Sequence, residues 1–227
     1  VSGPRLRVVV AGAAGRMGRL VLPCLSASPG VEVCGTLVRG SDAAAVLELA
    51  RPDVLVDFTL ADAARELLPL AAERGISPVS GTSGLSGPDV EALREACARA
   101  GVGGLLVPNF SVGAVLQMRH AEELAQHLRL AALSETHHPG KKDKPSGTSL
   151  ATLRRIEAAG GGRVEIRSER REGALAEQEV TFGGAGEEVV LRHVVHDRRA
   201  YLPGVLLAVL RVRGLRGLQV GLDGLLA

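Results

Sequence analysis

Residues 5–18, RLRVVVAGAAGRMG, restrict the fold more than any other part of the chain. Arg5–Gly12 holds an unbroken β-branched run, the pattern of a strand buried on both faces. Glycines follow at once at 12, 15 and 18, and Gly15–Ser28 reads as a helix stopped by Pro29-Gly30. A strand that enters a helix through such a turn presents unpaired helix N–H groups to an anion. Gly12 permits the tight turn, Gly15 the approach of a pyrophosphate, and Gly18 close packing of helix on strand. The G-x-x-G-x-x-G spacing is weak as a bare pattern, and its place between strand and helix gives it force.

The alternation continues. Strands are expected at Val31–Val38, Asp53–Phe58, Ser77–Gly81 and Gly104–Val107. Helices are expected at 41–50, at Ala61–Arg74 and at Pro88–Ala100, with Pro69 predicting a kink or an early end in the second. Strands separated by single helices imply a parallel, doubly wound sheet with right-handed crossovers. The rhythm changes after Asn109: a long helix Val112–Leu128, a strand Arg129–Thr136, a polar loop 137–146 and a helix Ser146–Ala159. Strand-like segments at Arg163–Glu169, Gln178–Gly183 and Glu187–Val195 then predict a separate antiparallel or mixed sheet. Arg198–Val212 returns to a helical pattern, broken by Pro203-Gly204, and the apolar end should rejoin the first domain. The expected fold is α/β: a doubly wound Rossmann-type parallel sheet from 1–110 plus 198–227, with an inserted α+β domain at 111–197.

Composition narrows the function classes. Aromatics are 2% of the chain, with no Trp, which argues against a stacking surface for single-stranded nucleic acid. The net charge of +2 gives no case for a polyanion partner. Cys24, Cys34 and Cys97 lack metal-ligand spacing and read as buried free thiols. No signal pattern or membrane-length apolar run is present, so a cytoplasmic enzyme is expected.

All three lysines, Lys141, Lys142 and Lys144, fall within four positions, although the chain otherwise uses 24 Arg for its positive charge. An ammonium gives up its proton more readily than a guanidinium, so the cluster marks a local chemical need. It lies in ETHHPGKKDKPSGT, Glu135–Thr148. No cysteine or further carboxylate at ligand spacing completes a zinc site around His137 and His138, and no metal is expected. Ser146 is suited to cap a helix beginning Gly147-Thr148, and such a start forms an anion pocket. With the basic loop beside it, the pocket suits a substrate carrying one or two carboxylates. Reduction of a conjugated imine needs hydride at one carbon and a proton at another, and a histidine or lysine there can supply the proton.

Loops at the carboxyl ends of strands complete the nucleotide site. Gly81-Thr82-Ser83-Gly84 and Pro108-Asn109-Phe110-Ser111 are placed to meet a nicotinamide half. At the end of the second strand, Val38 stands where an acid would read a ribose diol, while Arg39 can pair with a 2′-phosphate. That difference tilts the expectation toward NADPH.

With GAAGRMG at 12–18, VDFT at 56–59, GTSG at 81–84, PNFSVG at 108–113 and the Glu135–Thr148 run, the chain resembles the 4-hydroxy-tetrahydrodipicolinate reductase (dihydrodipicolinate reductase) family. The resemblance is dense up to residue 150 and weaker beyond. It implies reduction of a cyclic imine dicarboxylate to tetrahydrodipicolinate with NADPH or NADH, in a homotetramer whose inserted domain serves substrate binding and oligomerisation. It implies His137 as proton donor or acceptor and Lys141 as second proton donor, with His138, Ser146, Gly147 and Thr148 binding substrate. Gly12, Ala13, Ala14, Gly15, Arg16, Met17, Arg39, Gly81, Thr82, Ser83, Val107, Pro108, Asn109 and Phe110 would line the cofactor. The chain departs from the pattern at Val38, at Leu60 where some members carry Arg, and at Lys144 where a small residue is common. Another Rossmann-type dehydrogenase would not predict the histidine–lysine run, and a non-catalytic cofactor sensor would bind nucleotide without turnover.

Overall fold

The computed structural model describes residues 4–226 of the chain. They divide into two compact units: Ser111–Ala200, and the remainder on either side of it.

The first unit is built on a six-stranded parallel sheet ordered β10-β5-β4-β3-β1-β2. Its strands are β1 (Leu6–Ala11), β2 (Val31–Leu37), β3 (Val54–Asp57), β4 (Ser77–Ser80), β5 (Gly103–Leu106) and β10 (Gly217–Val220). Val8, Val9, Val10 and Ala11 have no exposure, as the β-branched run requires. The connecting helices are α1 (Gly18–Ser26), α2 (Ala43–Ala50), α3 (Ala61–Glu73) and α4 (Gly87–Ala100). Chain order reverses between β1 and β3, which opens a crevice at their carboxyl ends.

Several local readings need correction. The first helix starts at Gly18, because residues 12–17 are spent on turns. Helix α3 runs through Pro69 without ending there. The proline removes one backbone bond, but Ala64, Leu67, Leu68, Ala71 and Ala72 bury the face on both sides of it. Pro203-Gly204 opens a helix instead of breaking one: α7 spans Leu202–Arg211, with Pro203 in its first turn, where a missing N–H leaves nothing unpaired. Gly204 is required by close approach, since a Cβ there would lie 2.0 Å from the Phe110 carbonyl oxygen. All three cysteines are free thiols, but only Cys97 is buried, and burial pushes its pKa up to about 11.

The second unit carries a mixed four-stranded sheet ordered β7-β6-β8-β9. Its strands are β6 (Arg129–His137), β7 (Ile166–Arg170), β8 (Ala176–Gly184) and β9 (Glu187–Val195). Strand β6 pairs parallel to β7 and antiparallel to β8. Helices α5 (Val112–Leu124) and α6 (Gly147–Ala158) share a core with this sheet: Ala121, Leu133, Leu153, Ile156, Val180 and Phe182 pack together. The long helix therefore stops four residues before the expected Leu128, in a short turn.

Candidate active site

The nucleotide-side residues occupy loops along the carboxyl edge of the parallel sheet. Gly12 turns at φ +74°, and a Cβ there would lie 2.4 Å from the Phe58 carbonyl oxygen. Only glycine lets the β1 turn sit against the end of β3. The Gly12 and Ala13 amides donate to the Leu37 carbonyl, at 3.0 and 3.3 Å, and so tie the turn to the end of β2. Among the described residues, the amides of Ala14, Arg16 and Met17 take no backbone acceptor. Unpaired N–H groups ahead of α1 and a turn with no side chain in the way form a cradle fit for a pyrophosphate. Arg16 is exposed beside it.

Beyond Leu37, the Val38 amide donates to the Ser41 hydroxyl at 3.0 Å, closing a tight turn that holds Val38 and Arg39 in solvent. Gly81, Thr82 and Ser83 follow β4; Val107, Pro108, Asn109 and Phe110 follow β5. The rings of Phe58 and Phe110 meet with centroids 5.5 Å apart, and Gly81 passes so close to both that a Cβ would lie 2.6 Å from the first.

Sequence reasoning quoted Asp57 inside a motif but gave it no role. Its carboxylate has no exposure, and it accepts from Thr59 Oγ1 at 2.6 Å, Ser80 Oγ at 2.6 Å and Thr82 Oγ1 at 2.8 Å. The Thr59 amide adds a fourth donor at 2.9 Å. One buried acid thus fixes the loops after β3 and β4 in register. The available signal was a carboxylate ending a wholly apolar strand, with hydroxyls two residues on and in the neighbouring loop.

In the second unit, His137 ends β6, and His138–Lys141 form a turn closed by a 3.1 Å bond from the Lys141 amide to the His138 carbonyl. The His138 ring lies over Gly140. Lys141 Nζ pairs with Asp143 Oδ2 at 2.9 Å and thereby holds the Asp143 carboxyl below the usual aspartate range. Ser146 caps α6, accepting from the Ser149 amide at 3.1 Å, with Gly147 and Thr148 in the first turn.

Beneath these groups lies Glu135, only 1% exposed. Its Oε2 accepts from the Ser146 amide at 3.0 Å and the Ser149 hydroxyl at 3.1 Å, and lies 3.4 Å from His137 Nδ1. Arg170 Nη1 reaches Oε1 at 3.4 Å. Burial alone would raise the Glu135 carboxyl, but the hydrogen bonds from Ser146 and the nearby His137 outweigh it and leave it below the ordinary glutamate value. Burial pushes His137 toward its neutral form; Glu135 opposes this, while Lys141 and Arg170 reinforce it, and the pKa falls below the usual histidine value. Among the described residues, no group of three or more His, Cys, Asp or Glu is placed to hold a metal ion.

The match to known proteins covers nearly the whole chain. The family model described as "Dihydrodipicolinate reductase, N-terminus" matches residues 6–110, and that for the C-terminus matches 113–226. A 4-hydroxy-tetrahydrodipicolinate reductase of Moorella thermoacetica is 40% identical, over 97% of this chain and 98% of its own length. One from Symbiobacterium thermophilum is 37% identical, over 89% and 90%. A solved dipicolinate-bound dihydrodipicolinate reductase from Paenisporosarcina shares the fold at a TM-score of 0.87 with 24% identity, covering 97% of this chain and 99% of its own.

Proposed function

The chain belongs to the dihydrodipicolinate reductase family, and from that premise we propose how its own residues divide the reaction between them. It is an NAD(P)H-dependent oxidoreductase of lysine and diaminopimelate biosynthesis. When bound, the reduced nicotinamide supplies hydride. The cradle at Gly12–Met17 holds the pyrophosphate on backbone N–H groups, a reading supported by the amides of Ala14, Arg16 and Met17, which take no backbone acceptor among the described residues. The loops Gly81–Ser83 and Val107–Phe110 receive the nicotinamide half, and Arg39 reads a 2′-phosphate in preference to a bare ribose.

In the second unit, Ser146, Gly147 and Thr148 bind a substrate carboxylate at the start of α6, and His138 binds beside them. A dicarboxylate is supported by the relative solved with dipicolinate bound and by the capped helix start next to Lys141. His137 exchanges a proton with the substrate and Lys141 is the second donor. The observation that carries this reading is the shared frame of the two: His137 Nδ1 lies 3.4 Å from Glu135, and Arg170, which reaches Glu135, also donates to the Lys141 carbonyl.

The enzyme works as a cytoplasmic homotetramer without a nucleic-acid partner. Among the described residues no helix is long and apolar enough to cross a membrane. The tetramer is supported by one face of the second sheet, where the aligned row Ala132, Thr181 and Val190 ends on a Val190 that is 46% exposed.

An assay coupled to the upstream synthase, following NADPH loss, tests the roles. His137→Ala and Lys141→Ala should each lower kcat by about 10²–10⁴-fold with NADPH affinity unchanged. Near-full turnover in both variants would remove the assignment.

A further inference from the structure

The buried acid under the histidine–lysine loop has more partners than a structural anchor for α6 needs. Glu135 Oε2 faces His137 Nδ1 at 3.4 Å, yet that nitrogen is buried and forms no hydrogen bond among the described residues. A buried ring nitrogen without a partner is unfavourable, and the Glu135 carboxylate is the acceptor that faces it. Arg170, one arginine among 24 and outside every motif, grips the same frame from β7. Its Nε donates to the Lys141 carbonyl at 3.2 Å, its Nη2 to the Asp143 carbonyl at 2.5 Å and its Nη1 to the Glu169 carbonyl at 2.7 Å. One guanidinium therefore fixes the backbone that carries Lys141 and also approaches Glu135.

We propose that Glu135 and Arg170 are positioning residues of this reductase: Glu135 accepts the Nδ1–H of His137, leaving Nε2 to handle the substrate proton, and Arg170 holds the Lys141 loop in the same frame. A carboxylate on one ring nitrogen sets the tautomer and aims the other. The planar fork of Arg makes its several bonds at once, which a lysine ammonium cannot copy. The proposal rests on the proton-handling roles given to His137 and Lys141.

The charged groups facing His137 are Glu135 on β6, Lys141 and Asp143 in the loop, and Arg170 on β7; β8 opposes it with Ala176. The two positioning charges act on the ring with opposite sign. Removing the negative charge in Glu135→Gln should move the His137 limb of the kcat/KM pH profile to lower pH by about one unit. Arg170→Gln should move it to higher pH. Both variants should lower kcat about tenfold or more while NADPH, titrated alone, binds as in the wild type. Arg170→Lys keeps the charge and so keeps the limb, but loses turnover with the fork. A merely structural role moves neither limb in a charge-dependent direction, and shifts of equal sign, or none, overturn the proposal.

Should the glutamine variants fail to fold, ¹⁵N spectra of histidine-labelled wild-type enzyme decide. The signal lost in His137→Asn should report an Nδ1–H tautomer, and an Nε2–H tautomer overturns the idea. If His137→Ala and Lys141→Ala retain turnover, the role assignment itself fails. If they abolish it while Glu135→Gln keeps the wild-type limb, only the positioning claim fails.

Discussion

In the site proposed at the carboxyl edge of the first sheet the recognition atoms would be backbone amides, left open because glycine leaves the space empty. In the Glu135–Thr148 segment the groups proposed to handle the proton are side chains, and other side chains hold their frame: Glu135 accepts from the Ser146 amide and the Ser149 hydroxyl, Asp143 pairs with Lys141, and Arg170 grips the loop carbonyls. The first design would tolerate exposed arginines such as Arg16 and Arg39, because a pyrophosphate contact through backbone amides would not depend on where they point. The second depends on charge balance in a buried setting, where an unpaired group is costly. A nucleotide there would be bound by shape and dipole. A proton has to be placed by groups whose charge and tautomer are controlled.

The contrast predicts different failure modes. Gly12→Ala adds only a methyl group, but at φ +74° and 2.4 Å from the Phe58 carbonyl oxygen. It should destabilise the first unit by about 3 kcal/mol and abolish measurable NADPH binding, read by denaturant midpoint and nucleotide titration. Wild-type affinity in that variant would break the backbone reading. Asp57→Asn leaves shape nearly intact but replaces an acceptor of four hydrogen bonds by a group that must also donate. A loss of about 1–3 kcal/mol in thermal or denaturant unfolding is expected, with nucleotide affinity reduced in step. Arg39→Ala probes the exposed rim and should have the smallest effect. The KM for NADPH should rise about tenfold while that for NADH stays unchanged, and equal effects on both would remove Arg39 from coenzyme choice.

Much of the fold was legible because its signals are local. The β-branched run of β1 and the glycine turn each record a backbone requirement within a few residues. The early end that Pro69 allowed did not occur, because burial along α3 offsets one lost bond, a tertiary effect that a proline rule does not contain. Pro203-Gly204 was misplaced because its glycine answers to Phe110, far away in sequence.

The sequence by itself determined the strand–helix rhythm, the glycine cradle and the family, since each is carried by residue types at fixed short spacings. Only the tertiary structure decided that Asp57 ties two loops together and that Arg170 reaches both Glu135 and the Lys141 loop. The physical reason is range. A backbone conformation is set by its near neighbours, whereas a buried charge is explained only by whichever distant strand brings its counter-charge within hydrogen-bonding reach.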